Sequence, residues 1–235
     1  MAGERVGVVL LAVAEASADG AGSVVDWVCR AAVELLSLRG AGVSLMVEGE
    51  LRGATGVSDP GIAVMQELEL TLGEGPCLDA WASRAPVLED DLRARGHLRW
   101  PMFAPAAVQQ GVQSVIAFGL VLGAIRVGVL LLYRDRPGVF SADDVAYGLV
   151  LADVATNLVL GLQAGAPAGE LPGALAGEPH HWAEIHQATG MVSVQLGVSL
   201  DEAFVRLRAH AFAGDLSLRE LAGQIVERRV RLDRD

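Results

Sequence analysis

Apolar residues in the first 163 positions alternate between helical spacing and short unbroken runs, which predicts a mixed helix-and-strand domain. Val24, Val28, Ala31, Leu35 and Leu38 recur every three or four residues and predict a helix over 24–38, ended by Gly40 and Gly42. Residues 43–48 and 51–56 then read as a hairpin turning at Gly49-Glu50. Residues 62–72 predict a helix stopped by Gly73, and an irregular middle follows as far as Gly111. The runs 114–122 and 125–133, joined at Gly123-Ala124, have the length and β-branched content of central strands in a buried antiparallel sheet. Periodicity by itself leaves a buried helix open there. Ser141 with Asp143 and Asp144 opens a long helix through Gln163, its carboxylates at the positive end of the helix dipole.

Beyond this point the pattern changes. Residues 164–179, AGAPAGELPGALAGEP, are rich in Ala, Gly and Pro and read as a linker. After it only helical periodicity remains. Ile185, Ala188, Val192 and Leu196 form one stripe of a helix over 181–196, stopped by Gly197. Ser199 with Glu202 is a capping box, in which the Ser hydroxyl meets the N3 amide and the Glu carboxylate returns to the cap amide. The helix it opens is expected to bury Leu200, Ala203, Phe204, Leu207 and Ala211, and Gly214-Asp215 breaks it. Ser217 with Glu220 is a second box, opening a helix with Leu221, Ala222, Ile225 and Val226 inward. The organisation expected is a sensor-sized domain over 20–163, a linker over 164–179 and a three-helix module over 180–235.

Composition narrows the function classes. The chain of 235 residues is 52% hydrophobic with a mean hydropathy of +0.40, enough to build a real core. The two apolar stretches that invite a membrane reading are 6–14 and 112–133. The second is broken by Gly119, Gly123, Arg126 and Gly128, and the first is short, with Glu4 beside Arg5 in place of a basic leader. A cytoplasmic chain with no membrane partner is expected. The net charge of −11 argues against indiscriminate nucleic-acid binding. It is concentrated before residue 180, where 11 Arg face 21 acidic residues; from 180 onward 7 Arg face 8, so a local basic face is possible there. All 18 basic residues are Arg. Cys29 and Cys77 are too few for a disulfide framework or a four-ligand metal site, and His180, His181 and His186 are not spaced as ligands on one helix face. No Ser–His–Asp set, phosphate loop or acidic catalytic pair is recognisable, so neither an enzyme nor a cofactor is expected.

The order helix, hairpin, irregular middle, paired strands and long helix resembles a GAF domain. The most specific segments are LGEGPCLDA at 72–80 and RWPMF at 99–103, which look like those of actinobacterial sensor–antiterminator proteins. The resemblance implies an α/β (α+β) sensor domain with an antiparallel sheet that receives a small-molecule or protein signal. Cys77, Trp81, Trp100 and Phe103 are the candidate pocket residues, with core packing as the default reading of the three aromatic residues. Cys77, after Gly-Pro and ahead of an expected helix start, sits where a thiolate would be stabilised, or else is a small buried hydrophobe. The C-terminal residues QATGM at 187–191, Glu202-Ala203-Phe204, Leu207-Arg208, Ala211, Leu218, Leu221-Ala222 and Ile225-Val226 resemble the all-α ANTAR domain, an antitermination module that binds paired hairpins in nascent RNA. The resemblance makes Arg206, Arg208, Arg219, Arg228 and Arg229 the candidate RNA contacts, Arg208 foremost, with Thr189 standing where many members have Lys and with Gly190 permitting close approach of helix or RNA. A homodimeric, signal-responsive antiterminator is the function implied. The competing readings are a sensor with protein–protein output only, a DNA-binding regulator, and a cysteine-dependent methionine sulfoxide reductase.

Overall fold

The computed structural model describes residues 2–18, 20–47, 50–165, 179–214 and 216–232. The chain divides into two compact units, Met1–Glu69 with Glu74–Gly177, and Leu70–Gly73 with Glu178–Asp235. Residues 48–49, with Gly49 of the expected hairpin turn, most of the expected linker (166–178) and Asp215 of the expected helix break lie outside the described residues.

The first unit carries helices α1 (Ala2–Ala16), α2 (Val24–Leu36), α3 (Pro60–Leu72, up to Glu69), α4 (Pro76–Ser83), α5 (Phe103–Gln109) and α6 (Ala142–Ala164). Its strands are β1 (Gly40–Val47), β2 (Glu50–Val57), β3 (Val87–Glu89), β4 (Ser114–Leu122) and β5 (Ile125–Arg134), all antiparallel in the order β2-β1-β5-β4-β3. The runs read as central strands are therefore strands, with β5 in the middle of the sheet.

Alternation along the strands separates two faces. Phe118 of β4 points to α6, where a Cβ on Gly148 would meet its ring at 2.2 Å, while the next residue, Gly119, faces the Ala80 carbonyl of α4. Val43 joins the core beneath α2, and its neighbour Gly42 is covered by Ile62 of α3. Helices α1, α2 and α6 thus share one core with the inner residues of β1, β4 and β5, including Val9, Cys29, Leu130 and Val159. Helix α6 is long and apolar enough to cross a membrane by composition, but Leu151, Ala152, Ala155 and Val159 are buried in that core.

Several local expectations are corrected. Residues 6–14 form most of a helix, with Val9 and Ala12 buried while Leu10 and Leu11 are largely exposed. Helix α2 ends at Leu36, not at 38, because Ser37 adopts a left-handed conformation (φ 49°) and Gly40 already belongs to β1. It also begins with a full capping box, Ser23 with Asp26. The irregular middle contains α4, β3 and α5, elements too short to show a period.

The second unit is a three-helix module, α7 (Pro179–Leu196), α8 (Leu200–Ala213) and α9 (Leu218–Val226). Ile185, Ala188, Val192 and Leu196 of α7 meet Ala203, Leu207 and Ala211 of α8 and Leu218, Leu221, Ala222 and Ile225 of α9 in one buried core. The box at Ser217 is complete. That at Ser199 is half formed, because the Glu202 carboxylate pairs with Arg206, 2.8 Å away, instead of returning to the cap amide. Leu200 is 60% exposed and Phe204 is half-buried, as is Val226 on α9, so the stripes on both helices are narrower than expected.

Candidate functional site

Glu69, in the last turn of α3, has no solvent exposure. The helix that follows, α4, has Gly75 at its N-cap, with no side chain to cap it, and Pro76 at N1, which has no N–H. Glu69 fills the role from a distance: the Cys77 amide donates to its two carboxylate oxygens at 3.2 and 3.1 Å. Gly75 is required there, since it has φ +149° and a Cβ would lie 2.4 Å from the Glu69 Cγ. Burial pushes the Glu69 carboxyl up to about 8 against the pull of the Cys77 and Leu78 amides.

Burial, then the adjoining Glu69 charge, likewise pushes the Cys77 thiol well above its ordinary value. Of the two readings of Cys77, the structure agrees with the small buried hydrophobe and not with the stabilised thiolate: Cys77 lies inside the first turn of α4, fully buried, beside a carboxyl group rather than a cation. Cys29 is buried in the core on the opposite face of the sheet, and burial raises its thiol too.

The two segments that stood out in the sequence lock onto each other. One Glu74 carboxylate oxygen accepts from the amides of Met102 (2.6 Å) and Phe103 (2.8 Å) at the start of α5. Asp79 accepts from Arg99 Nε (2.7 Å) and from the Trp100 indole N–H (3.1 Å). The Arg99 guanidinium lies 5.1 Å from the Trp100 ring centroid, and Trp100 meets Phe103 edge to face at 5.9 Å. Trp100 and Phe103 are 1% and 0% exposed, so with Cys77 they are core positions. Trp81 is half-buried at the end of α4, with Arg126 over its ring at 4.4 Å and bonded to its carbonyl at 3.0 Å. Glu69, Glu74 and Asp79, which organise this cluster, escaped sequence reasoning, although Glu74 and Asp79 sit inside the motif itself.

In the C-terminal module Thr189 is corrected as a candidate contact. It is 7% exposed and its hydroxyl donates to the Ile185 carbonyl at 2.7 Å, one turn back on the same helix. Gly190 is half-buried, and an added Cβ would meet nothing within 4 Å, so close helix approach does not explain it. Arg206 is held by Glu202, and Arg208 is half-buried and engaged. Arg219 is exposed in the first turn of α9. Past the end of α9, Arg228 and Arg229 are exposed, Arg229 paired with Glu227. Arg231, exposed in the same run, was not among the residues singled out by the sequence, although the string RRVR at 228–231 signals it.

Comparison with known proteins follows this division. The GAF domain family matches residues 21–159 and the ANTAR domain family residues 174–226. No curated protein matches the chain. Among solved structures, the GAF domain of a phosphoenolpyruvate-protein phosphotransferase from Coxiella burnetii is similar, with 16% identity and a TM-score of 0.54 over 69% of this chain and 96% of that one. That of the corresponding Acinetobacter phosphotransferase has 13% identity and a TM-score of 0.51 over 68% and 96%. At these identities the likeness concerns the fold. The chain belongs to the GAF domain family and carries an ANTAR domain after its sensor domain.

Proposed function

We propose that this protein is a signal-responsive transcription antiterminator of the actinobacterial GAF–ANTAR type. The domain at 20–163 receives a small-molecule or protein signal, and the module at 180–235 binds hairpins in a nascent leader RNA and keeps a terminator from forming. The observation that carries this reading is the ANTAR match on a three-helix module with arginines along α8, α9 and the segment after them. Arg suits this work, since its planar fork grips phosphate and stacks on splayed loop bases. The protein works in the cytoplasm as a homodimer, and control lies in the different affinity of two states for RNA. No catalytic step enters. Cys29 and Cys77 are buried on opposite faces of the sheet, which disfavours a thiol reductase.

The test is a gel-shift titration of the full chain against a two-hairpin RNA, a scrambled RNA of equal length and a duplex DNA. The expected result is clear preference for the two-hairpin RNA, weakened by salt. Equal binding to all three, or none, rejects it in favour of an output made through protein contacts. Preference for the duplex supports a DNA regulator instead.

A further inference from the structure

The ANTAR match ends at Val226, yet the chain beyond it is built with care. Helix α9 closes in a Schellman turn, with the Arg228 amide donating to the Ile225 carbonyl at 2.9 Å and the Arg229 amide to the Gln224 carbonyl at 2.7 Å. The left-handed position of this turn normally belongs to Gly, but here it is Arg228, at φ 59°. The segment then returns to the module. Val230 is half-buried, Leu232 is 6% exposed, and the Gln195 side-chain amide of α7 donates to the Leu232 carbonyl. Arg229 and Arg231 alternate with these inward residues and stand exposed.

Charge within the segment is only partly matched. Arg229 pairs with Glu227 across an exposed surface, a pair weak enough to exchange, whereas Arg228 and Arg231 form no ion pair among the described residues. A side chain in a strained backbone position, two exposed guanidiniums with no carboxylate partner among the described residues, and a buried leucine that pins the segment together make a turn preorganised to meet an anion.

We propose that the turn at 227–232 is a second RNA-binding element, beyond the ANTAR helices, that grips the phosphodiester backbone through Arg228 and Arg231. This rests on the reading of the module as an RNA binder. Backbone contact supplies affinity and register and no sequence discrimination, so the turn acts alike on any RNA the helices accept.

The full-length protein is titrated by fluorescence anisotropy with a synthetic two-hairpin RNA at several salt concentrations, and each variant is melted in parallel. Arg228→Gly is expected to raise the melting temperature, because glycine relaxes the left-handed turn, and at the same time to weaken RNA binding several-fold. The opposed directions separate a lost contact from a damaged fold. Arg228→Gly combined with Arg231→Ala is expected to lose on the order of tenfold in affinity and to lower the salt slope by about 0.7–0.9 per contact removed. Arg231→Lys, which keeps the charge, is expected to retain most of the binding. If wild type prefers the two-hairpin RNA over its scramble and the double variant matches it in affinity and slope, the turn is not a contact, while the antiterminator reading stands. Weaker binding with an unchanged slope also overturns the proposal. If wild type shows no preference, the reading of the module fails and the proposal goes with it.

Discussion

Glu69 joins a buried carboxyl to the amide of Cys77, the second residue of a helix that has no cap of its own. The Cys77 thiol and Asp79 carboxylate are the titratable groups that act on it. Its carboxyl rises from 4.5 to about 8, so the folded state holds a proton that the unfolded chain releases. The associated stability is fully present below pH 4.5 and is lost as pH rises through about 8. Thermal melting of the wild type is therefore expected to fall across this window, and that of Glu69→Gln to be nearly flat. Parallel slopes for the two would refute the assignment. Asp79 makes a different prediction. Asp79→Ala strands the buried Trp100 indole N–H and should cost about 1–3 kcal/mol in urea denaturation. Arg99→Ala, which breaks the same cluster at the exposed end, should cost about 0–1 kcal/mol. None of this was legible in the motif letters. LGEGPCLDA and RWPMF stood out as segments, but that Glu74 caps the start of one from within the other follows only from their meeting in space.

At the scale of elements, the capping signals were the most readable. Ser217 and Glu220 form the reciprocal box that their spacing announces, and the two Ser217 hydrogen bonds hold the Glu220 carboxyl below its usual value. The same spacing at Ser199 and Glu202 yields only half a box, since Arg206 one turn along competes for the carboxylate. Glu220→Ala should thus destabilise the module more than Glu202→Ala, and Ser217→Ala by about 1 kcal/mol, measured by denaturant titration. Equal effects of the two glutamates would contradict this account. The box of Ser23 and Asp26 was equally visible, whereas periodicity alone starts that helix at Val24 without it. Helix α6 shows why element existence and element environment differ. Its apolar residues leave almost no preferred face in the sequence, and its seat on β4 depends on Gly148 against Phe118. Gly148→Ala, which forces a Cβ into that ring, should cost about 1–3 kcal/mol.

For the whole molecule, RNA binding and folding are linked. If the antiterminator reading holds, hairpin RNA at about a hundred times its Kd should stabilise the C-terminal module by about 2.7 kcal/mol, seen as a higher melting temperature that scrambled RNA does not produce. The change from a mixed domain to a helical module, four of the five strands and the three C-terminal helices were legible in the sequence, because each leaves a signal of run length, residue type, caps or breakers within a few residues, whereas β3 was too short to leave one. Tertiary structure decided the rest. It turned Thr189 inward onto its own helix, buried Cys77 beside Glu69 where its thiolate is suppressed, and decided between the two readings of Trp100 and Phe103 in favour of core. It also showed the run RRVR as a pinned turn instead of a loose end, since Leu232 and Gln195 hold it from 37 residues apart. Exposure, proton affinity and contact depend on residues brought together from distant parts of the chain, and no short window of sequence contains both partners.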